Sequence, residues 1–404
     1  MSQAESILNG IRVLDFGRYV AGPYCATLLG YLGADVIRIE KPEGGEDRYI
    51  APITSQGEGG VLLQTACNKK SLTLDFGKPE SRDVVRRLVA SADVVVVNLP
   101  PASREALGLD YATLSTLNPR IIVASQTAFG EQGPYAARGG FDGVGQAMSG
   151  AMYITGTPGT PAKAAAPYVD FSTAVLSAFG VLAALIERDR SGRGQHVQAA
   201  LQATALAVFG SHLIEQGVTG INRIGTGNRV QTSAPSDVFE TRDGHILTHV
   251  VGDGLFRRWV KLISGGASTA QRRWLDDPRF ASDAARGENS ADILAAMRTW
   301  CASRTTADAI AELEAAGLPA GPVYTPQQAL DDPQAKAMKW FASIADYPGL
   351  PRPAPVPDLP LRFSRSPSGI ERPPPRLGEH TDELLQSLGY DETARARLRM
   401  HRVI

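Results

Sequence analysis

With 404 residues, 43% of them hydrophobic, the chain exceeds one typical domain and can bury a large core, so two domains are expected. Its 41 basic and 42 acidic side chains leave a formal charge of −1, with no long basic block, which argues against nucleic acid or an anionic membrane as the main partner. Cys25, Cys67 and Cys301 show no paired or metal-like spacing, and His245 and His249 have no thiol or carboxylate beside them to complete a metal set. The opening MSQAESILNG lacks the basic and apolar regions of a secretory signal, and the longest apolar stretch, residues 174–186, is too short to span a bilayer. A cytoplasmic protein without a metal is the expectation.

Residues 12–16 (RVLDF) read as a short buried strand, 23–32 as a helix ended by Gly33, and 35–40 (DVIRIE) as the next strand. Residues 71–76 form a third strand, followed by a helix from Pro79 to Ala92, and then 93–99 (DVVVVNL) and 120–126 (RIIVASQ) give a fourth and a fifth. Valine and isoleucine runs alternating with helices predict an α/β fold with a parallel sheet covered on both faces. In such sheets ligands bind at the carboxyl ends of the strands, which singles out residues 17–23, 41–45, 98–104 and 126–140.

The first of these loops, GRYVAGP, is not G-x-G-x-x-G, which lowers the case for nicotinamide chemistry. At the end of the second strand Glu40 is followed by Lys41. An acid there suits a free ribose hydroxyl, a cation suits a phosphate on that ribose, and coenzyme A carries such a phosphate. A solvated lysine in a polar turn is the plainer reading.

Residues 167–201, PYVDFSTAVLSAFGVLAALIERDRSGRGQHVQAAL, organise the chain. Phe171, Val175, Ala178, Phe179, Leu182 and Leu185 recur at helical spacing and predict a buried amphipathic face; the helix ends in the charged run 187–190, and Gly192 and Gly194 make the turn. A short extended segment, 195–198, leads into a second apolar helix. Asp170, at the start of the run, reads first as an N-cap. The helix N-terminus also favours an ionised carboxylate, and an ionised carboxylate can attack an activated acyl carbon.

From about Gly220 the chain is rich in Gly, Asn, Ser and Thr, as a domain crossing would be. Strands at 238–240 and 245–250 around an Asp243-Gly244 turn, and helices near 256–263, 291–302 and 307–316, predict a smaller α+β unit. The proline-rich 351–360 carries the chain onward to a last helix, 381–388.

Several stretches together resemble the class III CoA-transferases (CaiB/BaiF), the family of formyl-CoA transferase and the carnitine CoA-transferase. GIRVLDFGRYVAGPYCATLLGYLGADVIRIEKPEGG is similar to the family's first βαβ unit, and NKKSLTLDF, NPRIIVASQTAFGEQGPY, QAMSGAMYITG, AALIERDRSGRGQHV, LPAGPVYTPQQALDDPQ and PRLGEHTDELLQSLGY are similar to later blocks. The match runs from about Leu8 to Tyr390. It implies a Rossmann-like large domain (1–224, completed by 326–404), a small α+β domain (225–325), and an interlocked, ring-like homodimer.

The resemblance also implies chemistry. The family's aspartate nucleophile falls on Asp170, which would form a mixed anhydride and then an aspartyl-CoA thioester while CoA moves from an acyl-CoA donor to a carboxylic acid. Coenzyme A and its thioesters are substrates, and no cofactor is expected. Val20, Ala21, Lys41, Leu74 and Asn98 fall where the family contacts CoA, and Gly225 and Gly227 match its glycine loop. Formyl-CoA transferases carry Gln where Val20 stands, which disfavours a formyl/oxalyl pair. Many members have Arg at the position of Ala106; Arg104, two residues earlier, and Arg138 are the alternative phosphate contacts. Succinyl-CoA with a short dicarboxylic or branched acid is the default pair. A racemase branch uses His beside Asp where this chain has Phe141-Asp142, so α-proton exchange is an alternative lacking its second proton carrier. A non-catalytic CoA-binding protein is the other.

Overall fold

The computed structural model describes residues 5–404. Six parallel strands, β1 (Arg12–Asp15), β2 (Asp35–Glu40), β3 (Lys69–Thr73), β4 (Val94–Val97), β5 (Ile122–Thr127) and β6 (His196–Ala200), form one sheet in the order β3-β2-β1-β4-β5-β6. β1 is central: Val13 pairs with Val36 on one side and with Val94 on the other. All four valines of β4 are fully buried, as expected for β-branched residues in a sheet covered on both faces. The extended segment predicted at 195–198 becomes the edge strand β6, beside β5.

Three helices position the site: α1 (Ala21–Tyr31), α2 (Asp142–Met148) and α3 (Tyr168–Ser191). Cys25, Ala26 and Leu29 of α1 pack with Ala174, Ala178, Val181 and Leu185 of α3 over Val13, Val36, Val94 and Val96. On the other face, Val84, Leu88 and Val89 join Leu384, Leu385, Leu398 and Val403 over Leu14, Ile37, Val95 and Val97. The helix predicted to be last, Thr381–Ser387, is followed by one more, Glu392–Met400, and the proline-rich stretch contains a strand, Ala354–Pro357, antiparallel to Phe341–Ile344.

The predicted buried face of α3 is rotated. Ala178 and Leu185 are buried, but Val175 is 51% and Phe179 69% exposed, and Val169, Thr173, Ala174, Ser177 and Val181 face inward instead. Small residues let α1 and the sheet approach closely; a Cβ on Gly180 would lie 2.6 Å from Val197 Cγ1. By length and composition α3 could cross a bilayer, but half of its most apolar window is buried within the fold. Gly192, at φ +73°, ends it as predicted.

The chain up to Gly150, Ala164–Gly220 and Pro333–Ile404 make one compact unit; Ala151–Lys163 and Ile221–Asp332 make the other. The second unit carries an antiparallel sheet of Ser236–Glu240, His245–His249 and Ala320–Pro322. Its core holds Phe256, Trp259, Trp274 and Phe280 in mutual ring contact. Among the described residues no group of three or more His, Cys, Asp or Glu could hold a metal.

Candidate functional site

The strand order places a topological switch between β1 and β4, where open α/β sheets bind ligands. The loop leaving β1 is tightly built. A Cβ on Gly17 would lie 2.7 Å from Pro23 Cδ, so only glycine lets the loop fold back onto α1. Asn98, just beyond β4, clamps the next peptide from both sides: Arg18 N donates to its Oδ1 at 2.7 Å, and its Nδ2 donates to Arg18 O at 2.6 Å. Tyr19 follows in the left-handed region, φ +61°, with its ring edge-on to Phe141 at 5.1 Å. Such backbone strain in a non-glycine residue costs roughly 1–3 kcal/mol and persists only where its surroundings enforce it.

Above this loop a cavity of 510 Å³ opens at the carboxyl ends of β1, β4 and β5. It is bordered by Val20, Ala21, Asn98, Gln126, Arg138 and Asp170, so five sequence-predicted residues meet there. The volume suits a small-molecule site. Arg138 stacks over the rings of Phe129 and Tyr135, at 5.3 and 4.5 Å, and among the described residues pairs with no carboxylate. Its charge is open to an anionic ligand.

Asp170 lies in the first turn of α3 but does not cap it. Asp142, from α2, does so from 28 positions upstream: its Oδ1 accepts Val169 N at 2.7 Å and Asp170 N at 3.1 Å, and its Oδ2 accepts Gln146 Nε2 at 2.5 Å. Ala164 N donates in turn to Gln146 Oε1 at 3.0 Å, which fixes that amide. The two carboxylates thus have opposite environments. Asp142 takes three N–H donors, whereas the Asp170 carboxylate, in a residue 8% exposed, takes no hydrogen bond among the described residues. Burial first, and the Asp142 charge second, push the Asp170 carboxyl up to about 7. The helix N-terminus, read as favouring an ionised Asp170, gives the N–H groups of Val169 and Asp170 to Asp142 instead.

Other predicted residues lie apart from this cavity. Lys41 borders a smaller one of 220 Å³, walled by Phe16, Ile39, Phe76, Leu99 and Leu107, and pairs with Glu46 at 3.1 Å. Leu74 is fully buried in the core beneath the sheet and borders neither cavity. Arg104 is 3% exposed and turned inward, Nη1 to Glu131 Oε1 at 2.6 Å; the same carboxylate accepts Ser125 Oγ at 2.7 Å and Gln198 Nε2 at 3.0 Å. Gly225 and Gly227 sit in the second unit against Gly156: a Cβ on Gly225 would lie 2.3 Å from Gly156 O, and Gly227 N donates to that oxygen at 2.9 Å. The Gly227 N–H is thereby spent within its own unit.

Two features escaped sequence reasoning. One is the capping role of Asp142, whose only local sign is its place at the start of a short helix. The other is the unpaired side chain of Gln126, a position inside the singled-out 126–140: it is 3% exposed at the end of β5, and its Oε1 has no partner among the described residues.

The sequence profile described as CoA-transferase family III matches residues 8–381. The chain belongs to CoA-transferase family III. It is 36% identical over 396 residues to the succinate–glutarate CoA-transferase of Agrobacterium fabrum, covering 96% of this chain and 97% of that protein. It is 35% identical to the succinyl-CoA–D-citramalate CoA-transferase of Chloroflexus aurantiacus, covering 98% of each. The crystal structure of a CaiB/BaiF family protein from Brucella suis superposes with a TM-score of 0.82 at 33% identity, over 95% of this chain and 100% of that one. This family III member is therefore a CoA-transferase, acting on acyl-CoA and carboxylate substrates.

Proposed function

We propose that this family III enzyme moves CoA from succinyl-CoA to a second short dicarboxylic acid through covalent intermediates on Asp170. The observation that carries this reading is the unpartnered, buried Asp170 carboxylate in the cavity at the sheet's switch point. An Asp170 oxygen attacks the thioester carbonyl; the C–S bond breaks, leaving a mixed anhydride and CoA thiolate. The thiolate attacks the aspartyl carbonyl, the anhydride C–O bond breaks, and the donor acid leaves. The acceptor carboxylate then attacks the aspartyl-CoA thioester, expelling thiolate, which takes the acceptor acyl group and frees Asp170. Atoms and charge balance at each step, with no net proton transfer.

A carboxylate held near neutrality by burial is a stronger nucleophile than a solvated one, and the cavity keeps its intermediates from water. The donor set matches relatives named for succinate or succinyl-CoA and for dicarboxylate partners. In this reading the base of CoA occupies the apolar slot beside Lys41, its phosphates pass Arg18 and Lys41, and the acyl arm reaches Asp170 past Val20, Ala21, Asn98 and Gln126. Arg138 faces the acid's second carboxylate. Arg104 and Leu74 support the walls rather than the ligand. The protein is further proposed to act in the cytoplasm as an interlocked homodimer, for which the exposed apolar residues Val175, Phe179 and Ile186 along α3 supply a face to cover.

Among the described residues no histidine borders the cavity, so α-proton exchange has no histidine there as second carrier. The test is mass spectrometry of the protein with succinyl-CoA, followed by hydroxylamine or borohydride. An adduct on the Asp170 peptide, lost in Asp170→Ala, is expected. Transfer without any adduct would sink the covalent route, and tight CoA binding without turnover would favour a binding protein.

A further inference from the structure

The acid at the end of β2 is where an open α/β sheet usually meets a free ribose. Here Glu40 is unavailable: it is buried, accepts Arg48 Nη2 at 2.6 Å and Ser71 Oγ at 2.9 Å, and lies 3.3 Å from Arg38 Nε. What faces the slot's rim instead is a pair of cations, Lys41 and Arg18, both half exposed. A carboxylate already occupies them. Glu46 Oε1 accepts Lys41 Nζ at 3.1 Å, and Glu46 Oε2 pairs with Arg18 Nη2.

Glu46 is held there by its neighbours. The two residues after it in the short turn Glu46–Tyr49 are buried anchors: Asp47 receives Arg38 Nη2 at 3.0 and 2.9 Å, and Arg48 holds Glu40 and donates to Pro375 O at 3.3 Å. The buried network thus fixes where an exposed carboxylate points. Arg18 also borders the Asp170 cavity, so the cation pair stands where the two cavities adjoin.

We infer that Glu46 is a built-in substitute for the ribose phosphate of CoA, holding Lys41 and Arg18 poised until that phosphate displaces it, at a cost to the affinity that the phosphate would otherwise confer. The inference rests on the CoA reading above. A displaced carboxylate subtracts its own ion pairs from whatever the phosphate gains, and only a ligand bearing a dianion at that point recovers the difference. A nucleotide with an unphosphorylated ribose leaves Glu46 in place and gains nothing from the cations.

Equilibrium titration of CoA and 3′-dephospho-CoA against wild type, Glu46→Gln and Glu46→Gln/Lys41→Met tests this at low and high salt. Glu46→Gln is expected to tighten CoA by roughly three- to tenfold at low salt, from the strength of exposed ion pairs, with dephospho-CoA unchanged. Salt should shrink that gain, and the added Lys41→Met should remove it. Unchanged or weaker CoA binding in Glu46→Gln, or equal tightening of both ligands, overturns the proposal. Wild type binding CoA and dephospho-CoA alike also overturns it while leaving the CoA reading intact; wild type binding neither sinks both. Glu46 is half exposed, and a thermal melt checks that the variant is folded.

Discussion

Asp170 and Asp142 divide one job between two like residues, and the division predicts how activity follows pH. The nucleophile must be ionised, so with its carboxyl pushed up to about 7, kcat/KM for succinyl-CoA should fall with one-proton dependence below that pH and level off above it. Asp142→Asn removes the neighbouring charge that contributes to this rise, and should move the acid limb to lower pH. Stability responds in the opposite sense to activity. The folded-state value lies above the ordinary 3.8, so folding favours the protonated acid: that contribution is complete below pH 3.8 and is lost as pH rises through about 7. The full difference is on the order of 4 kcal/mol. Asp170→Asn should therefore abolish transfer yet raise the melting temperature at pH 8, the gain shrinking as pH falls toward 4. Differential scanning calorimetry at several pH values checks this. Sequence read Asp170 as the N-cap of the helix; that it lies inside the first turn as an unsatisfied acid was not legible, because the cap comes from 28 positions upstream.

At the scale of elements, strands were the more readable part. β2 coincides with the predicted 35–40, and the valines of β4 leave little choice, since only a sheet covered on both faces hides four in a row. α3 was readable in extent but not in phase. With apolar residues all round, its pattern does not choose an inward face, and the small residues facing α1 decided the matter. Arg104 taught the same lesson for charge. Its sequence neighbourhood suggested a phosphate contact, yet it lies buried against Glu131. Burial works to raise that carboxyl, but hydrogen bonds from Arg104 and Ser125 outweigh it and hold it below the usual range. Removing one partner of a buried pair strands the other, at a cost of about 3–5 kcal/mol. Arg104→Ala should thus lower the urea midpoint sharply, whereas Arg138→Ala should leave it unchanged and weaken acyl-CoA binding or acceptor use. Denaturation curves beside ligand titrations separate the two arginines.

For the whole molecule, composition indicated two bodies, and the shift in residue usage near Gly220 lies beside a boundary between compact units. That Ala151–Lys163 joins the second unit was not legible, since the bond that fixes it, Gly227 N to Gly156 O, spans 71 positions. The proposed homodimer should appear in sedimentation or light scattering as twice the 43.0 kDa chain mass. Phe179→Arg, at a side chain 69% exposed, should disturb that assembly without touching the core of the unit that carries it. A monomer of unchanged activity would remove the case for an obligate pair.

The packing of Leu384, Leu385, Leu398 and Val403 beneath the sheet has a consequence for how the chain is made. Asp75 N, just past β3, donates to Val403 O at 2.8 Å, so the near end of the sheet is closed by a residue some three hundred positions downstream. During translation Val84, Leu88 and Val89 can cover part of the underside of β1 to β4 at once, but the share taken by Leu384, Leu385, Leu398 and Val403 waits while some three hundred further residues emerge, whereas Ile221–Asp332 can close its own tryptophan-rich core earlier. The nascent protein can therefore carry a closed Ile221–Asp332 core beside a sheet whose underside is still partly bare, and that interval, rather than the complete fold, is when it exposes the most apolar surface.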